Sequence, residues 1–176
     1  AYRRGESGNK IWIELQRYPA TLLLYALGIG AVEAGERGLL FLGTLFGTTV
    51  HREYREDQTA VELLPAFCLF ENGNDPAKLL EGMGQRYAPL NDWLQTLLAP
   101  QFRGLIPSEA RFTYAFDRLE ILIALGYAHR AKRPKDWYWA PPGSYGYRHE
   151  NRERIVGEIR ASLESQGDAS PYARSG

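Results

Sequence analysis

The stretch Tyr18–Gly47, YPATLLLYALGIGAVEAGERGLLFLGTLFG, holds two uncharged runs, Pro19–Val32 and Gly38–Val50, separated by Glu33, Glu36 and Arg37. Each run falls short of the roughly 20 apolar residues that a bilayer-spanning helix needs, and the charges sit where a hairpin would turn. The pattern therefore predicts two apolar helices folded back on each other, with Gly35 as the stop of the first. Because the first is apolar on nearly every side, it is expected in a core rather than on a surface. Ala26, Gly30 and Ala34 recur at i, i+4 and i+8, a ridge almost without side chains. Interior glycines cost a helix about 1 kcal/mol each relative to alanine, and close approach of another backbone is the usual compensation. Leu39, Leu42, Leu45 and Phe46 are the expected cover. Gly28-Ile29-Gly30-Ala31-Val32-Glu33 is not a dinucleotide fingerprint. It lacks the third glycine, follows no strand and lies inside the apolar segment.

Outward from this hairpin the chain continues to read as helices. Residues 1–8 are polar and read as a leader. Asn9 is the expected N-cap of a helix carrying Trp12, Leu15 and Tyr18, ended by Pro19. Residues 47–58 read as a loop or exposed strand. Thr59 and Glu62 have capping-box spacing before a short helix disturbed by Pro65. Asn72-Gly73-Asn74 is a turn signal, with Asp75-Pro76 opening the next piece. Leu90, Trp93, Leu94, Leu97 and Leu98 make a helical face that Pro100 is expected to stop. Ser108 caps the clearest helix, striped by Phe112, Phe116, Leu119, Ile123 and Tyr127, with a basic end at His129–Arg133 before Pro134. The aromatic, proline-rich segment 137–148 reads as irregular, with a minor β-hairpin as the candidate element. A last helix spans about Asn151 to Ser165, with Ile155, Val156, Ile159 and Leu163 inward, and residues 167–176 read as a flexible tail. The fold class is mainly α: an irregular domain of six to eight helices over residues 9–166.

At 176 residues, 44% hydrophobic and 24% charged, the chain is long enough to bury a core. Net charge is zero, so no global field draws it to nucleic acid or membrane. The balance is local, however. Residues 52–92 carry eight acids against four bases, and residues 128–156 seven bases against three acids. Such a dipolar surface suits a partner. The single cysteine, Cys68, excludes an internal disulfide and a cysteine-built zinc site, and its apolar surroundings predict a buried thiol. The chain starts without Met or a signal-peptide pattern, which reads as part of a longer cytoplasmic polypeptide.

Catalytic and cofactor chemistry finds little support. His51, His129 and His149 form no metal-ligand spacing. His51-Arg52-Glu53 reads as a solvated loop rather than an acid–base pair. Asp117 and Glu120, one turn apart, read as surface ion-pairing groups in preference to a metal or proton site. Gly143-Ser144-Tyr145-Gly146 is not a nucleophile elbow. No catalytic residue, cofactor or metal is assigned. One constellation stands out: Arg130, Lys132, Arg133 and Lys135, then Trp137, Trp139, Tyr147 and Arg148. Bases interleaved with aromatics can hold a phosphate backbone and stack on nucleobases. The competing account folds the aromatics back as a lid on the long helix.

Two segments carry a resemblance. Tyr18-Pro19-Ala20-Thr21-Leu22-Leu23-Leu24-Tyr25 with Ala34-Gly35 is one. Phe116-Asp117-Arg118-Leu119-Glu120, Tyr127-Ala128, Trp139-Ala140-Pro141, Gly143 and Tyr147-Arg148 make up the other. Both look like the C-terminal helical accessory region of large, multidomain bacterial proteins of defence and signalling type. The resemblance implies a non-catalytic interaction or regulatory module, contacting other domains of the same polypeptide or protein subunits, or sensing a trigger. Nucleic-acid binding through 130–148 is the alternative, and a small hydrolase a distant third. A pocket gathering His51, Asp117 or Glu120 would count against the first reading.

Overall fold

The computed structural model describes residues 6–51, 56–70, 75–130, 143–170 and 172. Seven α-helices occupy them: α1 Glu6–Leu15, α2 Tyr18–Glu33, α3 Glu36–Gly47, α4 Ala60–Leu63, α5 Pro89–Phe102, α6 Glu109–Arg130 and α7 His149–Gln166. Short 3-10 helices at Ala66–Cys68, Pro76–Leu79, Ser144–Tyr147 and Gly167–Ala169 join them. The fold is mainly α, as the periodicity predicts. The antiparallel strand pair, β1 Thr49–Val50 with β2 Gln58–Thr59, lies before α4. Of the segment expected to hold a hairpin, residues 137–142 lie outside the described residues and Ser144–Tyr147 is a 3-10 helix.

The hairpin forms where the sequence places it. Gly35 turns the chain with φ +69°, a left-handed conformation that side-chain-bearing residues avoid. The crossing between α2 and α3 uses a different face from Ala26–Gly30–Ala34. Gly30 is exposed, and a Cβ there would meet nothing within 4 Å. The backbones meet instead at Gly38 of α3, where a Cβ would overlap the carbonyl of Ala31. The neighbouring Gly28 admits Leu119 of α6, whose side chain occupies the space a Cβ would need. Small residues permit the crossing, but on the ridge that faces the core.

α6 is the axis of the domain, packed by α2, α4, α5 and α7. Ser108 Oγ accepts the Arg111 N–H at 3.3 Å, capping its start. From Ala115 to Ala124 nearly every side chain is buried, so the helix is covered on all sides rather than along one stripe. Tyr25, Leu24 and Ile29 of α2, Leu42 and Phe46 of α3, Leu94 of α5 and Ile155 of α7 close around Phe116 and Leu119. The Tyr25 and Phe116 rings lie 5.6 Å apart, and the Phe112 and Phe116 rings 6.2 Å.

Smaller features divide between expectation and correction. The Thr59 capping box is present, with the Thr59 N–H donating to Glu62 Oε2 at 2.9 Å and its hydroxyl at 2.6 Å. Asn9 lies inside α1 and is not its cap. Pro100 does not stop α5, which runs two residues further. In its last turn a missing N–H is tolerated, because only one ladder bond is lost. On α7, Ile155 and Ile159 are buried, but Val156 and Leu163 are exposed. Cys68 is half-buried. The chain stays on the domain past Gly167: Ser170 is buried with its hydroxyl 2.9 Å from Ser162 Oγ, and the Tyr172 hydroxyl accepts from Arg118 Nη2.

Candidate functional site

Four of the buried polar side chains, Asn91, Asp117, Glu120 and Ser144, gather between α5, α6 and the start of α7. Asp117 and Glu120, expected on the surface, are buried at 0% and 3% exposure. Their burial follows from the enclosure of α6. Once every face of a helix is covered, carboxylates one turn apart must find partners inside.

Asp117 is held from α7. Arg148, at the entry of α7, pairs with Asp117 Oδ1, and its other terminal nitrogen donates to Gln95 Oε1 of α5. Asn151 Nδ2 donates to Asp117 Oδ2 at 2.8 Å. The guanidinium fork thus ties α5, α6 and α7 together, a geometry lysine does not supply. Burial pushes the Asp117 pKa upward, opposed by the Asn151 bond and the Arg148 charge.

Glu120 is held from the other side. Asn91 Nδ2 of α5 donates to Glu120 Oε1, and also lies 3.3 Å from the Tyr25 hydroxyl of α2. The Tyr25 hydroxyl accepts the Ala66 N–H at 3.4 Å. The Tyr145 N–H donates to Glu120 Oε2 at 3.4 Å. Gly143 lies so close that a Cβ there would stand 2.6 Å from the carboxyl carbon. Burial raises the Glu120 pKa to about 8, assisted by the Asp117 charge and opposed by the Asn91 and Tyr145 bonds. Burial thus favours the protonated form of Glu120. Beside it, buried Ser144 donates to Asp92 Oδ1 at 2.7 Å.

A raised carboxyl beside a second one is a pattern found at catalytic centres. Both carboxyls are buried among the described residues. The two carboxyls bond different partners, and the turn 143–145 covers Glu120 with backbone. His51 is remote in kind, an exposed residue after β1 whose Nδ1 lies 2.8 Å from Asp57 Oδ2. His129 is exposed in the last turn of α6, and His149 Nδ1 accepts from Arg152 at 2.8 Å. No group of His, Cys, Asp and Glu among the described residues could hold a metal ion. The arrangement works as a polar clamp on helix positions.

Of the basic and aromatic constellation, Arg130, Tyr147 and Arg148 are among the described residues. Lys132, Arg133, Lys135, Trp137 and Trp139 lie outside the described residues. Arg130 is half-buried at the end of α6, its guanidinium against Gly47 of α3. Arg148 is engaged inside the domain with Asp117, thirteen residues earlier on α6, hence about 20 Å along the axis from Arg130. Tyr147 packs edge-on against Tyr87 at 6.1 Å. Arg148 is thus a structural cation at the α5–α6–α7 junction, with a quarter of its side chain still exposed.

What sequence reasoning missed lies in the exposed apolar side chains of the first three helices. Ile11, Trp12 and Ile13 of α1, Leu23 and Leu27 of α2, and Leu40 and Phe41 of α3 are exposed, Trp12 at 72%, Leu23 at 61% and Phe41 at 48%. The signal was available in the apolar excess of α2, which a single core-facing stripe does not use up. No described helix is long and apolar enough to cross a membrane. Protein-family models, curated proteins and solved structures offer no match to this chain.

Proposed function

We propose that the chain is a non-catalytic interaction module, whose contact surface is the outer face of α1, α2 and α3. The observation that carries this reading is the concentration of exposed large apolar side chains within the first three helices. Scattered surface leucines need no explanation, but a concentration with Trp and Phe has the composition of an interface centre. On α2, Leu23, Leu27, Gly30 and Ala34 fall along one face, turned away from the residues that meet α3 and α6. The buried carboxyls support the reading from the other side, since each is committed to protein partners.

The partner is protein: another domain of a larger intracellular bacterial polypeptide, or a neighbouring subunit, in keeping with the resemblance of Tyr18–Tyr25 and Phe116–Glu120 to a C-terminal accessory region. Amide exchange compares the isolated chain with the full-length product of its gene. Protection of α1–α3 amides is expected only in the longer protein, and Leu23→Glu with Phe41→Glu should remove it without lowering the melting temperature. Equal protection in both proteins ends the proposal.

A further inference from the structure

A second apolar surface lies between α6 and α7, lined by none of the exposed residues of α1–α3. Ile121 and Leu125 of α6 with Val156, Ile159 and Leu163 of α7 line an open groove of about 430 Å³. Leu125, Val156 and Leu163 leave 40–50% of their surface exposed there. Its rim carries Arg160 and Glu164, both exposed. Among the described residues neither makes an ion pair.

These two charges specify an occupant. They stand one turn apart with the base N-terminal to the acid, the weaker order for pairing within one helix. Across a two-fold axis the same pair becomes self-complementary. An antiparallel second α7 brings its Glu164 to Arg160 and its Arg160 to Glu164, whereas a parallel one sets like charges together. Val156, Arg160 and Leu163 follow one another at spacings of four and three, and Glu164 stands one turn beyond Arg160 beside Leu163. An axis level with Ser162 therefore places Leu163 beside its own mate, between the two charge pairs, and covers the groove. This is the isologous arrangement of most homodimers.

We infer that the α6–α7 groove is a self-association surface, in which a second copy of this chain docks α7 antiparallel through Leu163 and reciprocal Arg160–Glu164 pairs. Sedimentation equilibrium of the 176-residue chain, from micromolar to hundreds of micromolar, tests it. The wild-type chain is expected to dimerise. Arg160→Glu and Glu164→Arg, which each turn two attractions into two repulsions, should raise the dissociation constant at least tenfold. The double swap R160E/E164R restores complementarity and should recover the dimer. Leu163→Asp should abolish it, with circular dichroism confirming that all variants stay folded. A wild-type chain that is monomeric throughout overturns the inference. So does a dimer indifferent to the single reversals, or a folded double swap that stays monomeric. Leu23→Glu and Phe41→Glu should leave the dimer intact. Were they to dissolve it while the Arg160 variants did not, self-association would belong to the α1–α3 face and this assignment would fall.

Discussion

Replacing Glu120 by glutamine separates the charge of the buried carboxyl from its shape. Burial raises the folded-state pKa from 4.5 to about 8. Between those values the folded chain holds a proton that the unfolded chain has released. The sign follows: for an acid with a raised pKa, stability is greatest below about pH 4.5, falls as pH rises toward about 8, and is level above that. At 1.36 kcal/mol per unit the whole window amounts to about 5 kcal/mol, of which about 3 kcal/mol is gone by neutral pH. Glutamine cannot ionise, so its fold carries none of this slope. Its amide keeps an acceptor for Asn91 but turns an N–H toward the Tyr145 N–H, a conflict of about 1–3 kcal/mol that does not vary with pH. Urea unfolding of both proteins at about pH 5.5 and about pH 8.5 isolates the charge, because every other titrating group is common to the two. The stability difference, E120Q minus wild type, should rise by about 3 kcal/mol between those conditions. Parallel pH profiles would refute the reasoning, since they require a Glu120 that ionises alike in both states.

The clamp and the helix crossing yield two further expectations. Arg148→Ala leaves Asp117 buried without its cation and should cost about 3–5 kcal/mol in urea unfolding. Asp117→Asn placed on top of it should recover part of that loss, because the uncompensated charge is gone. Gly38→Ala forces α3 away from the Ala31 carbonyl and should lower stability by about 1–3 kcal/mol despite a better helix former. Gly30→Ala, on the open face, should raise stability by about 0.5–1 kcal/mol. Thermal melts that shift the same way for both alanines would show that the α2–α3 crossing is misplaced.

How much of this was legible depends on whether the cause was local. The Gly35 turn, the Thr59–Glu62 box and the Ser108 cap rest on interactions within four residues, and each is where its motif stands. The hairpin as an element was legible too, from run lengths and the charges between them. Which small residues mark its crossing was not. Gly28, Gly30 and Gly38 have equal claims in sequence, and only the docking of α6 decides between them. The same non-local fact hid the site. Whether Asp117 and Glu120 face water depends on how many neighbours α6 has, and Ile121-Leu122-Ile123-Ala124, apolar at four successive positions, was the one hint that it is covered all round. Arg148 illustrates the same dependence on distant partners. Its basic and aromatic neighbours suggest a surface, yet its partner lies thirty-one residues earlier in the chain.

The clamp and the exposed apolar faces are connected by energetics. Apolar packing drives the helices together but is nearly indifferent to their axial register. Around α6 that indifference would be acute, because leucine, isoleucine and alanine cover it on every side. The Asp117–Arg148–Gln95 fork and the Glu120–Asn91–Tyr25 chain are directional, and a slip of one turn would strand two carboxyls in the core. Buried polar groups that fix register do so at some expense in stability, and the raised Glu120 pKa is the sign of that expense here. Such an arrangement suits a domain that must present its outer faces in fixed relation. Leu23 and Phe41 of the hairpin, and Leu163 between Arg160 and Glu164 on α7, keep their relative geometry only if α2, α6 and α7 hold their positions. On this account Arg148→Ala combined with Asp117→Leu, which removes both charges and fills the space, should preserve or raise stability in urea unfolding. It should nevertheless weaken contacts made through either face. A variant of that kind with native association on both faces would sever the link between clamp and surface.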